Sequence, residues 1–127
     1  MPADASAGGV EERKTAINPL ELARLARQAL DRKKGKDIRL LDVRNISDLT
    51  DYTVIASGSS PPHLKALLSE VQHEMKQRGV LSHRKTGDPE SGWLVLDYVD
   101  VVIHIFSPSL REYYAVEELW SQAPEID

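Results

Sequence analysis

The sequence predicts an α/β protein of the α+β kind, one mixed sheet with helices packed on it. Three observations lead there. First, two short apolar runs rich in Val and Ile, Leu94–Leu96 and Val101–Phe106, flank the polar step Asp97, Tyr98, Val99, Asp100, a pattern that suits a strand hairpin better than a helix. Second, both side-chain parities of the latter run are apolar, with Val101, Ile103 and Ile105 on one and Val102 and Phe106 on the other. A strand apolar on both faces belongs inside a sheet, under a helix on one side and under a helix or a partner on the other. Third, Asn18-Pro19, Ser60-Pro61 and Ser107-Pro108 each pair a side-chain cap with a proline suited to the first helical turn.

Along the chain, residues 1–17 are small, polar and then charged, and they predict a disordered leader. The folded domain is expected over 18–120. Asn18 opens a helix in which Glu21 occupies the position that can reach back to the cap. Leu22, Leu25, Ala26, Ala29 and Leu30 form its apolar face, and it ends near Lys34-Gly35. The basic cluster Arg32, Lys33, Lys34, Lys36 then falls at the negative pole of the helix, where cations are favoured. Asp37–Val43 and Tyr52–Ala56 read as strands. Leu64, Leu67, Leu68, Val71 and Met75 define a second amphipathic helix that stops at Arg78-Gly79. Val80–Lys85 reads as a polar edge strand and Thr86–Gly92 as a loop. Short helices follow at Leu110–Tyr114 and Val116–Trp120, and 121–127 is a polar tail.

Composition narrows the function. The 127 residues are 41% hydrophobic and 28% charged, without cysteine, so thiol chemistry and disulfides are excluded. No apolar run approaches the roughly 20 residues of a membrane helix. The N-terminus lacks the basic start and apolar core of a signal peptide, which predicts a cytoplasmic location and no membrane partner. Sixteen Lys and Arg against 20 Asp and Glu leave a net charge of −4. Direct nucleic-acid binding is therefore expected to be slight, because such binders normally carry a basic field. A basic protein is the better-matched partner.

Motifs for catalysis are sparse. Ile55–Lys65 runs from a strand through Gly58-Ser59 into a helix, as nucleotidyltransferase sites begin. Those sites also need a carboxylate pair on the next strand to hold metal ions. Asp97 and Asp100 sit three apart across a turn, which turn formation explains equally well. His104 lies in the most apolar strand and reads as a core residue. His63, His73 and His83 have no metal-ligand spacing, and no Gly-x-Ser-x-Gly elbow occurs. Neither a cofactor nor a metal is expected, and enzyme activity is not. Trp93, Tyr98, Phe106, Tyr113, Tyr114 and Trp120 all fall after position 92. Exposed rings beside Asp97 and Arg111 would have the composition of a protein-binding hot spot.

Taken together, Leu41-Asp42-Val43-Arg44, Leu49-Thr50-Asp51-Tyr52, Ile55–Ser60, Trp93–Tyr98, Asp100–His104 and Arg111-Glu112-Tyr113-Tyr114 with Leu119-Trp120 resemble the ribosomal silencing factor, or Iojap-like, family from about Leu20 to Trp120. The resemblance implies a nucleotidyltransferase-like fold lacking the catalytic carboxylates. It also implies a translational repressor that binds the large ribosomal subunit through ribosomal protein fourteen of that subunit. Joining of the small subunit would be blocked sterically, and translation lowered under nutrient limitation or in stationary phase. Family positions at the interaction surface correspond to Trp93, Asp97, Tyr98, Phe106, Arg111 and Tyr114, with Tyr98 and Phe106 as apolar anchors and Asp97 and Arg111 as charge partners. Asp51 and Tyr52 are weaker candidates. The family usually has glycine between Tyr98 and Asp100 where this chain has Val99, which predicts a wider or differently twisted turn. Two rivals stand beside this reading. One is a nucleotidyltransferase-like, nucleotide-binding enzyme using Gly58-Ser59 with Asp42 or Asp97. The other is a homodimer closing over the second apolar face of Val101–Phe106.

Overall fold

The computed structural model describes residues 17–127. The predicted leader lies outside the described residues except for Ile17, which packs against the core. Helix α1 (Pro19–Arg32) begins as expected, with the Asn18 side chain accepting the Glu21 amide at 2.8 Å. Helix α2 (Pro61–Gln77) is capped the same way by Ser60, and α3 (Pro108–Tyr114) by Ser107. The strands are β1 (Lys36–Asp42), β2 (Tyr52–Ser57), β3 (Arg84–Thr86), β4 (Trp93–Asp97) and β5 (Val101–Phe106). They form one five-stranded sheet in the order β1-β2-β5-β4-β3. Only β2 and β5 run parallel, in the register Tyr52↔Val101 to Ser57↔Phe106; the other neighbours are antiparallel. The predicted mixed sheet with packed helices is thus the observed fold. None of the described helices is long and apolar enough to cross a membrane.

The central strands are covered on both sides, by different means. Tyr52, Val54 and Ala56 of β2, Leu94 and Leu96 of β4, and Val101, Ile103 and Ile105 of β5 share one face, and the apolar stripes of α1 and α2 close over it. Burying side chains of this size stabilises by roughly 1.5–3 kcal/mol each. On the opposite face Leu41, Ile55 and Phe106 meet Val116, with Leu110 and Trp120 alongside. These last three residues come from α3 and from the 3₁₀ helix Val116–Trp120.

Helix α1 does end near Lys34-Gly35, with Lys33 as its cap and Lys34 left-handed (φ 67°), but other boundaries move. Val80 bonds back to the Met75 carbonyl and packs on the core, so the edge strand shortens to Arg84–Thr86. The loop after it contains a 3₁₀ turn, Pro89–Ser91, closed by reciprocal Asp88 and Ser91 bonds. The polar tail is not free. Asp42 donates to the Pro124 carbonyl, Ile126 donates to the Leu40 carbonyl, and Glu125 bridges Leu41. Arg27 donates to the Ile126 carbonyl at 2.7 Å. The last residues therefore line the outer edge of β1, a long-range pairing that local polarity does not reveal.

Of the two alternatives that Val99 predicts, the structure takes the differently twisted turn: the connection is not wider, and only Val99 and Asp100 lie between the bonded residues Tyr98 and Val101. Tyr98 N–H donates to the Val101 carbonyl at 2.8 Å, and Asp100 N–H donates to the Tyr98 carbonyl at 2.9 Å. Val99 sits at φ 72°, within the strained form of the γ-turn. The Asp97 carboxylate, accepting Val99 N–H at 2.7 Å, holds the β-branched residue there. Val99→Gly is expected to raise stability by about 1 kcal/mol, the strain released less the added freedom of the unfolded chain. Paired urea titrations check this, and an unchanged or lower midpoint would show the turn to be relaxed.

Candidate interaction face

Strand parity places Thr53, Ile55 and Ser57, then Val102, His104 and Phe106, then Trp93, Val95 and Asp97 on the second face of the sheet. Helix α3 and the 3₁₀ helix cover only the end holding Ile55 and Phe106. At the other end, Val102, His104, Thr53 and Asp97 line an open cavity of about 470 Å³, bordered by Leu49, Val99 and Trp120. Leu49 is 88% exposed. An apolar face left half covered is what the apolar second parity of β5 required, and a surface of this kind calls for a partner.

Aromatic rings run along the boundary between the covered and open halves. Trp93 stacks on Phe106 with centroids 4.9 Å apart and meets Tyr114 at 4.7 Å. His104 lies between Phe106 and Trp120, at 6.0 and 5.9 Å. Trp93 Nε1 donates to His104 Nδ1 at 3.3 Å, so the neutral ring carries its proton on Nε2. Burial pushes the His104 pKa down to about 4, which keeps the ring neutral around pH 7. His104 is mostly buried, as read from sequence, yet it also lines the open cavity.

The six predicted surface positions divide sharply. Tyr114 is 50% exposed, and Trp93 and Asp97 are half-buried with edges at the surface. Phe106 is 0% exposed and Tyr98 only 7%. Phe106 lies in the second core and Tyr98 in the first, so neither ring is presented as an anchor. Burial also pushes the Tyr98 phenol up to about 12. Of the weaker candidates, Tyr52 is likewise buried, and Asp51 is half-buried in the loop before it.

Arg111 is engaged internally. Its Nε and Nη2 donate to both Glu117 carboxylate oxygens at 2.8 and 3.1 Å, and Nη1 donates to Ser57 Oγ at 2.9 Å. Arg39 reaches the same carboxylate at 2.7 Å and Glu125 at 3.1 Å. This network fastens α3, the 3₁₀ helix and the C-terminal residues to the sheet. The Arg111 guanidinium, then Arg39, brings the Glu117 pKa from its ordinary 4.5 down to about 2. The network's contribution is therefore complete above the unfolded-state value and is lost as pH falls from about 4.5 through 2. Urea titrations between pH 5 and 2 should show this acid limb, and Glu117→Gln should flatten it. An acid limb identical in the variant would place the titration elsewhere.

The Gly-Ser turn serves packing. A Cβ on Gly58 would come within 2.8 Å of Leu64 Cδ2 and 3.0 Å of Leu67 Cδ1, so a larger residue there would make these two leucine side chains of α2 shift. Ser59 N–H donates to His63 Nδ1 at 2.9 Å, and His63 Nε2 donates to the Lys33 carbonyl at 2.7 Å, tying α2 to the end of α1. Arg32 of the basic cluster pairs with Glu70 and Glu74 of α2. Asp42 is held by Arg44 at 2.7 Å, and Asp97 closes the hairpin turn. Among the described residues, no group of three or more acidic or histidine side chains is placed to hold a metal.

The sequence marks Val102 through the second apolar parity of β5, but does not mark Thr53 or Leu49 as site residues. For Thr53 a signal existed, a hydroxyl within the otherwise apolar run Val54-Ile55-Ala56 of a wholly buried strand. Leu49 carries no local mark.

Fold and face together define a small α+β domain, built around a mixed sheet with one half-open face. The family model described as "Ribosomal silencing factor during starvation" matches residues 16–127. The chain is 33% identical over 111 residues to the ribosomal silencing factor of Bacillus subtilis, spanning 87% of this chain and 94% of that protein. It is 38% identical over 100 residues to that of Chromobacterium violaceum, spanning 79% and 82%. A crystal structure of a Chromobacterium violaceum protein superposes with a TM-score of 0.80 at 36% identity, covering 83% of this chain and 88% of that one. The chain belongs to the ribosomal silencing factor family.

Proposed function

We propose that this protein binds the large ribosomal subunit through ribosomal protein fourteen of that subunit and, by occupying the docking face, prevents the small subunit from joining. Translation falls in consequence, under nutrient limitation or in stationary phase, and the site of action is the cytoplasm. No bond is made or broken; affinity and placement suffice. The observation that carries this reading is the half-open face of the sheet in a chain of this family, where Asp97, Val102, Leu49 and Val99 line one hollow and Trp93 and Tyr114, with Val95, line a second. Exposed rings beside an apolar patch are the usual composition of a hot spot. The net charge of −4 favours encounter with a basic ribosomal protein.

The test is sedimentation of tagged full-length protein with separated subunits, followed by a joining assay. The protein should travel with the large subunit alone, and pre-incubation with it should reduce assembled ribosomes on addition of the small subunit. Co-sedimentation without any effect on joining would refute occlusion. Failure to travel with the large subunit would refute the proposal outright.

A further inference from the structure

The open cavity has a chemistry of its own that a flat protein contact does not need. Thr53 is wholly buried, lines this cavity, and its Oγ1 has no hydrogen-bond partner. A buried hydroxyl left in that state is costly. Valine has the same shape and would remove the cost, and its neighbours in β2 are Val54 and Ile55. The cross-strand partners of Thr53 are Leu41 and Val102, which offer it no side-chain hydrogen bond.

Other polar groups converge on the same space. With Nδ1 of His104 accepting from Trp93, its Nε2–H is left as a donor. The Asp97 carboxylate supplies an acceptor at the rim, and the Trp120 indole forms part of the wall. No lysine or arginine lines the cavity among the described residues; of the remaining groups His83 shares the wall with the Asp97 carboxylate, so the site has no fixed positive charge to set against a phosphate or carboxylate. A volume of about 470 Å³ falls in the range of small-molecule sites, which combine apolar walls with a few convergent polar groups.

We propose that this cavity is a binding site for a neutral, flat heteroaromatic molecule of the nucleobase or nucleoside class, lying against Trp120 with hydrogen bonds to Thr53 Oγ1 and His104 Nε2. The site rests on its own geometry, and binding to the free protein does not depend on whether this face meets the ribosome. Gly58 and Ser59 form no part of its walls.

The test is a nuclear magnetic resonance titration of the isotope-labelled full chain with adenosine, guanosine, cytidine and uridine, each taken to about 5 mM. At least one should produce saturable shifts of the Trp120 indole N–H and the Thr53 amide. Thr53→Val should weaken that binding about tenfold or more, while the variant without ligand melts at the same temperature as the parent or higher. Absence of saturable shifts with all four nucleosides would overturn the site. So would a Thr53→Val protein that binds as tightly as the parent, or one that melts lower, since the hydroxyl would then be serving the fold.

Discussion

Phe106→Ala is expected to cost about 3–5 kcal/mol of stability, the usual loss when a large buried ring is truncated. The side chain is fully buried among Leu41, Ile55 and Val116, directly beneath Trp93. Its removal opens a cavity between the sheet and the C-terminal helices, whose contact with this face is small. Against a typical total of 5–15 kcal/mol, the variant should be partly unfolded near physiological temperature. Phe106→Leu, which keeps most of the volume, should cost less than about 2 kcal/mol. The pair decides whether Phe106 acts as core or as partner anchor. If it is core, the folded leucine variant binds the large subunit as the parent does. A leucine variant that melts normally yet no longer co-sediments would return Phe106 to the interface.

Trp93→Ala combined with Tyr114→Ala should weaken binding to the large subunit about a hundredfold. Each anchor of this kind is worth about 2 kcal/mol, or thirtyfold. The two rings touch at 4.7 Å, so their losses should overlap instead of adding fully. Tyr114 is half exposed, and its single truncation should leave the melting temperature almost unchanged. Trp93 also packs on Phe106 and bonds His104, so the double variant needs a melt beside the sedimentation assay. A folded double variant that co-sediments at parental affinity would remove the aromatic rim from the interface.

Most of the framework could be read locally. Asn18, Ser60 and Ser107 each cap the helix that their neighbouring proline announced. The apolar runs on either side of Asp97–Asp100 became adjacent strands, and Val99 correctly foretold an unusual turn. What resisted reading depends on contacts between distant residues. Pro124 and Ile126 pair with β1 although their own segment looks polar. Arg111 and Glu117 look like free surface charges until the fold brings Arg39 and Ser57 to them. Thr53 offered a legible mark, a hydroxyl in an apolar strand, whose meaning appears only beside the open cavity.

By itself the sequence determined the helices, the strands and the two apolar parities of β5, because capping bonds and side-chain alternation act over a few residues. It also determined an acidic, cysteine-free composition suited to a basic protein partner. Only the tertiary structure decided which rings would be buried. The segment from Ser107 onward folds back over one end of the second sheet face, sealing Phe106 while leaving Val102, His104 and Thr53 beside open space. Alternation assigns a residue to a face, but whether that face is covered depends on where a distant stretch of chain comes to rest.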